Sequence, residues 1–421
     1  MSTGHSNNAE PLHSLAGAAW LNSPALGKIF AAFAKSSIEV RVVGGATRNA
    51  LLQKPISDID LATPARPELV MQIAAKAGLT VHPTGIDHGT VTVVADGTAF
   101  EVTTLRRDVE TDGRRAVVAF TDDWLEDAMR RDFTINAIYA APDGTIYDPT
   151  GGLDDLKAQR VRFIGEATHR IREDYLRILR FFRFTAQYGR GAPDPVGLAA
   201  CTSLKGGLTK LSSERVGAEI MKLLDAPRAA EIADVMSAGG ILDIVFGGAA
   251  HPNRLARLSR IEIANGLTAG RWTRLAALAL DGPGNARALA SRLRLANSDA
   301  DAIVEAATPN AAYDPKTPEK AARAWLYASG PDVFLRGSLV AWAASSAAPD
   351  DALRKDRATL PARWKPPALP LRGADILGLG VAPGARVGEI LRAFEAWWIR
   401  EDFPNDPALH KKILTDLVNR S

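Results

Sequence analysis

The sequence predicts an α+β N-terminal head followed by an all-α remainder, and two observations lead to that fold class. Short β-rich runs alternate with turns and helical segments up to about residue 165, which is typical of a mixed domain. Beyond that point such runs almost vanish, and Ala-, Leu- and Arg-rich helical patterns continue to the last residue. With 421 residues, of which 46% are hydrophobic, the chain is long enough for roughly two to four globular domains.

The head is predicted from six short runs with strand character, separated by turn and helix signals. These runs cover residues 39–43, 58–61, 90–94, 101–104, 117–120 and 145–147. A Pro-rich stretch at 361–370 indicates a linker or rigid turn before the last helical segment. The predicted domains are a polar N-terminal extension over 1–25, a head over 26–165, a helical neck over 166–270, and a helical body and tail over 271–421.

The composition narrows the function classes without fixing one. The single cysteine, Cys201, excludes an internal disulfide framework and a zinc site built on paired thiolates. The polar start and the lack of a long uncharged apolar stretch predict no signal peptide, no membrane contact and a cytoplasmic location. The formal net charge of +3 is too small to establish a nucleic-acid partner, although 37 of the 51 basic residues are arginines. The planar guanidinium group of arginine binds phosphate oxygens in a bidentate way, which lysine cannot do. A GC-rich genome also favours arginine codons, so both explanations of the high arginine content stay open.

Within the predicted head, segment 42–63 contains the most residues suited to ligand binding or catalysis. A predicted strand runs into Gly44 and Gly45, which open a helix that leads to a second strand. Two glycines at such a turn let the backbone approach a ligand closely, and free N–H groups at a helix start suit phosphate. The alternative is an ordinary tight turn that binds no ligand, because such turns show the same pair of glycines. Arg48, one turn into the helix, fits a sugar or phosphate contact.

An acidic pair follows at Asp58 and Asp60. Residues i and i+2 of a strand point to the same face, so both carboxylates are expected to converge. At roughly 6–7 Å they repel one another unless a cation lies between them, and hard oxygen ligands of this kind suit Mg²⁺. The alternative is an exposed pair on a solvated strand edge, and the preceding Gly-Gly turn favours the metal.

A helix predicted from about 170 to 187 has two distinct faces. Its apolar stripe, spaced for burial in the core, consists of Ile171, Tyr175, Ile178, Leu179, Phe182 and Ala186. Beside that stripe, charged residues recur at every third position, namely Asp174, Arg177, Arg180 and Arg183. By spacing alone, this second set is a solvated face with an i,i+3 ion pair.

Taken in order, several segments of the chain resemble one family. Segment 42–63 is similar to the signature of the DNA polymerase β-like nucleotidyltransferases, and more narrowly to that of the bacterial class II tRNA nucleotidyltransferase (CCA-adding enzyme) and poly(A) polymerase family. The family's flexible loop, its later motifs and, less specifically, its tail are matched by residues 103–115, 130–137, 148–156, 173–180, 213–216 and 372–388. The resemblance implies a polymerase β-like palm in the head, followed by helical neck, body and tail.

The resemblance also implies roles for individual residues. Asp58 and Asp60 would hold two Mg²⁺ ions as the catalytic carboxylates, with Glu101 as a candidate third. Asp174 would accept from the exocyclic amino group of a base and Arg177 would donate to its ring acceptor, so that C and A are read while U and G are rejected. The remaining nucleotide-binding residues would be Gly45, Arg48, Arg131, Arg180 and Arg183.

The implied activity is template-independent addition of CCA to the 3′ end of tRNA, with CTP and ATP as substrates. The helical half would bind the acceptor and TΨC region of the tRNA, and no obligate protein partner is evident. A poly(A) polymerase of the same family is one alternative, but residues 106–115 resemble the loop of enzymes that switch from CTP to ATP. A catalytically silent RNA-binding protein is the other, and the intact carboxylate pair argues against it.

One residue departs from the family pattern, because Asn49 follows Arg48 where the family usually has Asp. If that Asp orients the arginine, Asn49 can do so by hydrogen bonding. Asp132 and Asn136 are expected to hold the neighbouring backbone rather than touch substrate. No histidine is followed directly by aspartate, so the phosphohydrolase domain that some relatives carry is not expected.

Overall fold

The computed structural model describes residues 14–112 and 115–419, without the side chains of 108–118. Much of the predicted N-terminal extension, and most side chains of the predicted loop 106–115, therefore lie outside the described residues. The chain divides into two compact units, Met1–Val245 and Phe246–Ser421. The domain boundaries predicted at 25, 165 and 270 stay predictions.

The described part of the first unit contains a seven-stranded mixed sheet and a separate two-stranded ribbon. The sheet strands are β1 (Arg41–Val43), β2 (Asp60–Thr63), β3 (Thr80–His82), β4 (Thr90–Ala95), β5 (Thr98–Thr104), β8 (Tyr139–Ala140) and β9 (Ile146–Tyr147). The ribbon strands are β6 (Arg106–Asp112) and β7 (Arg115–Phe120). The sheet order is β3-β4-β5-β2-β1-β8-β9, in which β2 and β5 run parallel and the other described neighbours run antiparallel.

Helices accompany this sheet and then replace strands altogether in the described chain. Those of the first unit are α1 (Pro24–Lys35), α2 (Gly45–Leu51), α3 (Pro67–Lys76), α4 (Trp124–Met129), α5 (Gly152–Lys157), α6 (Ala167–Glu173), α7 (Leu176–Tyr188), α8 (Pro195–Leu204), α9 (Ser213–Leu224), α10 (Ala229–Ala238) and α11 (Ile241–Phe246), the last of which ends at the first residue of the second unit. The second unit contains α12 (Pro252–Asn265), α13 (Gly270–Ala279), α14 (Ala286–Arg292), α15 (Asn297–Ala307), α16 (Glu319–Ser329), α17 (Pro331–Ala344), α18 (Ala352–Ala358), α19 (Leu360–Arg363), α20 (Gly373–Leu377), α21 (Ala385–Arg400) and α22 (Pro407–Asn419). The predicted fold class, an α+β head followed by helices, is confirmed.

The strand predicted over 58–61 is displaced by two residues in the structure. Strand β2 begins at Asp60, which pairs with Val43 at the end of β1. The chain turns away at Gly44, so Asp58 has no strand residue opposite it and lies before the strand. The expectation that both carboxylates lie on one strand is therefore wrong, although the charge of Asp58 still acts on Asp60.

The single helix predicted from about 170 to 187 is two helices, α6 and α7, with a break between them. Asp174 has extended backbone angles, φ −152° and ψ 107°, and its Oδ1 accepts from the N–H of Leu176 at 3.0 Å. Aspartate competes in this way with the helical backbone and favours a new helix start. The apolar stripe is nevertheless buried as predicted, except that Tyr175 is only half-buried.

The core of the first unit forms where the sheet meets its helices. One cluster joins Val43, Leu105, Tyr139 and Ile164 behind the strands. Aromatic rings fill the space under α7, with pairs 5.0–6.3 Å apart among Phe133, Phe163, Phe181 and Phe184. The packing of these four buried aromatic rings fixes the position of α7 relative to the sheet within this unit.

The second unit has apolar clusters of its own. Trp398 is buried, and its Nε1 donates to the carbonyl of Pro404 at 2.9 Å, so this tryptophan packs within the unit. Across the described helices, none has the length and apolarity that crossing a membrane would require.

Candidate active site

A polar cleft of about 440 Å³ in the first unit gathers most residues that the sequence singled out. Eight of the nine predicted site residues line it, namely Gly45, Arg48, Asp60, Arg131, Asp174, Arg177, Arg180 and Arg183. Asp58 is not among the lining residues. A second cavity of similar volume, lined by Met129, Phe163 and Val196 among others, contains none of the nine and is more apolar.

The Gly-Gly turn forms one wall of the cleft. Gly44 has φ +76°, a left-handed conformation that side chains disfavour, and α2 begins at Gly45. A Cβ at Gly44 would lie 3.8 Å from the carbonyl of Asn136 and 3.9 Å from the guanidinium of Arg131. The turn thus brings bare backbone close to the arginine expected to bind nucleotide.

Two of the carboxylates lie on neighbouring strands, one at the start of β2 and one in the middle of β5. Asp60 opens β2 and is paired in register with Glu101 on the parallel strand β5. Partial burial raises the pKa of Asp60, and repulsion from Glu101 and Asp58 adds to the effect. Asp58 is exposed, and its Oδ2 accepts from the hydroxyl of Ser57 at 3.0 Å. Asp58 and Glu101 are therefore near enough for their charges to act on Asp60.

Arg48 is buried and held by three partners. Its Nε and Nη2 both donate to Oδ1 of Asn49, at 3.2 and 3.1 Å, and Nη2 donates to the hydroxyl of Tyr188 at 2.7 Å. A further hydrogen bond goes to the side chain of Asn136. Asn49 therefore orients Arg48 by hydrogen bonding, as the sequence suggested for this departure from the family pattern.

Arg131 is fixed by Asp127, a residue that the sequence analysis missed. Asp127 is 1% exposed and pairs with Arg130 at 2.6 Å and with Arg131 at 3.0 Å. The hydroxyl of Tyr139 donates to the same carboxylate at 2.8 Å. Burial alone would raise the pKa of Asp127, but the two guanidinium groups outweigh it and hold the pKa at about 2. The i,i+4 spacing of Asp127 and Arg131 was a signal available in the sequence.

The two residues expected to read the base are held by separate partners. Oδ2 of Asp174 accepts from Arg215 at 2.6 Å. Arg177 pairs with Glu173 and also donates to the carbonyl of Arg170 at 2.8 Å. One acceptor and one donor thus face the same cleft from the break and the first turn of α7.

Arg180 and Arg183 each have an anionic partner. Arg180 donates to Oδ2 of Asp132 at 2.7 Å, and Arg183 pairs with Glu219 at 2.5 Å. Both guanidinium groups lie over the ring of Phe184, at 5.3 and 4.1 Å from its centroid. Glu219 comes from α9, so no local spacing on the predicted helix could have found it.

Asp132 holds the neighbouring backbone, as expected, whereas the side chain of Asn136 bonds to other side chains, and both residues line the cleft. Asp132 accepts from the N–H of Phe133 and from Asn136 Nδ2, each at 2.9 Å. Through Arg180 and Arg48 the two side chains link this turn to α7 and α2. The cleft therefore brings together five guanidinium groups, which are suited to phosphates, and the carboxylates of Asp60, Asp132 and Asp174.

Comparison with known proteins adds an independent line of support. Residues 40–162 match the family model for the poly A polymerase head domain, and residues 193–251 match that for the probable RNA and SrmB-binding site of polymerase A. The CCA-adding enzyme of Lacticaseibacillus paracasei is 33% identical over 389 residues, covering 91% of this chain and 92% of that protein. The Bacillus stearothermophilus CCA-adding enzyme in complex with CTP has a TM-score of 0.73 and 30% identity, covering 94% of this chain and 99% of that chain.

A vertebrate relative matches over a shorter region. The CCA tRNA nucleotidyltransferase 1, mitochondrial, of Danio rerio is 45% identical over 210 residues. That match spans about half the length of the relative, and 48% of this chain.

The mixed sheet, the Gly-Gly turn and the matched head model define the class as nucleotidyltransferases with a poly(A) polymerase-type head. Within that class, the near full-length match at 33% identity shows that the chain belongs to the family of CCA-adding enzymes.

Proposed function

We propose that this protein adds CCA to the 3′ end of tRNA, without a template, from CTP and ATP. The observation that carries the proposal is the single cleft in which Asp60, the phosphate-binding arginines and the pair Asp174 and Arg177 come together. The names of the relatives support the same substrates, since they include CTP and tRNA. The cytoplasmic location inferred from the sequence stays a prediction.

The donor set fits a divalent cation. Asp58, Asp60 and Glu101 offer hard oxygen ligands. Burial, with repulsion from Glu101 and Asp58, raises the pKa of Asp60, and a bound Mg²⁺ would offset that repulsion. Within the described residues, no group of three or more His, Cys, Asp or Glu side chains is arranged to hold a metal ion by itself. Asp58 and Asp60 would therefore bind two Mg²⁺ ions together with phosphate oxygens of the substrate. Such a mixed set of ligands is usual for magnesium bound to a protein. Bound there, the ions would activate the 3′-hydroxyl and stabilise the leaving pyrophosphate.

The chain's own residues would bind and orient the reactants. Arg48, Arg131 and two arginines of α7, Arg180 and Arg183, would hold the triphosphate, since planar guanidinium groups match phosphate oxygens. The 3′-hydroxyl of the RNA would lose its proton to solvent, and its oxygen would form a bond to the α-phosphorus. The bond from that phosphorus to the oxygen shared with the β-phosphate would break, which releases pyrophosphate. Asp127 and Asn49 would keep the arginines oriented, so that the geometry exists before substrate binds.

Base choice would follow from the donor and acceptor at the start of α7. Cytosine and adenine both present an amino group beside a ring acceptor, which Asp174 and Arg177 complement. Uracil and guanine present the opposite order and would leave both side chains unsatisfied. The helical remainder of the chain would bind the acceptor and TΨC region of the tRNA.

The test is an extension assay with Mg²⁺ and labelled nucleotides. Its substrates are a tRNA that lacks its last three nucleotides and, beside it, an unstructured RNA. We expect C, C and A to be added to the tRNA alone, and the addition to be lost in Asp60→Asn but kept in Asp122→Asn, whose carboxylate is exposed. Long A tails on either RNA would instead identify a poly(A) polymerase. RNA binding without incorporation would leave an RNA-binding protein.

A further inference from the structure

Strands β3, β4 and β5 have one apolar face and one polar face. The apolar face packs against α1 and α3, and its buried residues are Val91, Val93, Phe100 and Val102. The polar face carries His82 of β3, which is exposed, and three half-buried threonines, Thr90, Thr92 and Thr103. A sheet face of this kind either stays solvated or receives a ligand, and its position in the fold decides between the two.

One row of the polar face leads directly to the candidate active site. Asp60 of β2 is in register with Glu101 of β5. Thr92 of β4 is in register with Glu101 on one side and with His82 of β3 on the other. Directly paired residues lie on the same face of a sheet, so these four side chains form a line across four strands. Since neighbouring strands are about 4.8 Å apart, the line is about 14 Å long.

The cleft lies on the other side of Asp60. The sheet order places β1 on one side of β2 and β5 on the other. The cleft is lined from the turn after β1, from α2, from the segment after α4 and from α7, so a nucleotide held there would reach Asp60 from the β1 side. In an in-line displacement the attacking and leaving oxygens lie on opposite sides of the reacting phosphorus. The 3′ end of the RNA would therefore approach Asp60 from the β5 side.

The chemistry of the row suits the sugars and bases of RNA. The hydroxyl of Thr92 donates and accepts, as a ribose 2′-hydroxyl does, and the imidazole of His82 can stack on a base. Thr92 is hydrogen-bonded to the hydroxyl of Thr84, and the hydroxyls of Thr90 and Thr103 are 3.0 Å apart. Each pair uses one of its two protons internally and can offer the other to a ligand. The carboxylates at the β2 end of the row would repel phosphate groups.

We propose that the polar face of β3, β4 and β5 binds the last nucleotides of the RNA substrate through their riboses and bases, and guides the 3′ oxygen to Asp60. The inference rests on the function proposed above and adds to it the path of the RNA across the sheet. Thr92 and His82, about 10 and 14 Å from Asp60 along the row, would contact the RNA and not the incoming nucleotide. Affinity for RNA and affinity for nucleotide should therefore separate.

The kinetic test measures KM for CTP and KM for a tRNA that lacks its 3′ CCA. Thr92→Val removes one hydroxyl and should raise KM for the tRNA about two- to tenfold, the value of one neutral hydrogen bond, while KM for CTP stays unchanged. His82→Ala should act in the same direction. Thr98→Val is the matched control, because Thr98 is an exposed threonine on the opposite face of β5, and it should leave both constants unchanged.

Deoxyribose substitution tests the sugar contact directly. The tRNA carries a 2′-deoxyribose at each of its last three positions in turn. At one of these positions wild type should lose about two- to tenfold in kcat/KM, and Thr92→Val should lose nothing further from the same change. If every deoxyribose costs wild type and Thr92→Val the same factor, Thr92 does not contact the RNA and the inference is overturned.

Crosslinking locates the RNA without relying on catalysis. A tRNA whose last nucleotide is 4-thiouridine is irradiated with the wild-type protein, and the tryptic peptides are identified by mass spectrometry. We expect attachment to peptide 77–106, which contains β3, β4 and β5 and is cleaved by trypsin only at its ends. Absence of this peptide from the crosslinked products would overturn the inference. A protein that crosslinks there but adds no CCA would contradict the proposed function and leave the RNA path in place.

Discussion

At the level of single residues, a few buried anions decide where the cleft arginines lie. Asp127 receives hydrogen bonds from Arg130, Arg131 and Tyr139 while being almost fully buried. A carboxylate in this setting is stable only because its partners are charged and close. Removing it would leave two guanidinium groups without their anion at the edge of the candidate site.

Asp127→Asn should therefore destabilise the protein in a pH-dependent way. The pKa of Asp127 is lowered from 3.8 to about 2, so its contribution to stability is fully present above pH 3.8 and is lost as the pH falls towards 2. A shift of this size corresponds to about 2 kcal/mol. We expect at least that loss in urea unfolding at neutral pH, and a smaller difference from wild type near pH 3. Asp122→Asn, an exposed carboxylate, serves as the control. An equal loss at both pH values would contradict this account.

Asn49 offers a second prediction, because its Oδ1 accepts two hydrogen bonds from one buried guanidinium. Asn49→Ala leaves Arg48 without that acceptor, which should cost roughly 1–3 kcal/mol of stability and raise KM for CTP. Asn49→Asp keeps the shape and adds charge, and charge-assisted bonds are roughly twice as strong. It also loses the hydrogen bond that Asn49 Nδ2 donates to the carbonyl of Pro55 at 2.9 Å, so we expect a melting temperature close to that of wild type and a KM that stays low. If both variants raise KM equally, the oxygen of residue 49 does not orient Arg48.

At the level of elements, the important feature is the junction between α6 and α7. The ring of Tyr175 lies directly against Gly207, where an added Cβ would be 1.9 Å from a ring carbon. A side chain at 207 would therefore push Tyr175, and with it the neighbouring Asp174, out of position. The adjacent Gly206 has open space at its Cβ position.

Gly207→Ala and Gly206→Ala thus form a matched pair. Gly207→Ala should lower stability by roughly 1–3 kcal/mol, the usual cost of overpacking, and weaken CTP binding measured by calorimetry. Gly206→Ala should change neither quantity appreciably. Equal effects of the two substitutions would show that the contact with Tyr175 does not set the geometry of the junction.

The same junction shows what the sequence could predict and what it could not. Periodicity predicted the buried stripe because it depends on local chemistry, whereas only the family resemblance implied which charged side chains share the cleft. The break at Asp174 was missed because the apolar stripe continues through it in register. Arg215 and Glu219 were missed as partners because their contacts span 41 and 36 residues, which only the packing of α9 brings together. Local patterns give the elements and the candidate residues, whereas tertiary contacts supply the partners that orient them.

At the level of the whole molecule, every residue of the cleft belongs to the first of two compact units. The lining residues run from Gly44 to Phe184, and Arg215 and Glu219 also precede the boundary after Val245. The second unit has its own apolar clusters, for example around Trp342 and around Phe334. A ligand that binds only to the folded first unit should stabilise that unit alone.

We therefore expect two thermal transitions, of which Mg²⁺ and CTP shift one. At a CTP concentration about a hundred times its Kd, the stabilisation should be about 2.7 kcal/mol, visible by calorimetry as a rise in the melting temperature of the first unit. Six of the eight tryptophans lie in the second unit, so tryptophan fluorescence reports mainly on that unit and should shift little. Asp60→Asn should abolish the calorimetric shift, because one carboxylate of the cation site is lost, while leaving the fluorescence transition in place. A single transition that CTP moves equally by both methods would mean that the two units unfold together, and that nucleotide binding at the cleft is coupled to the whole chain.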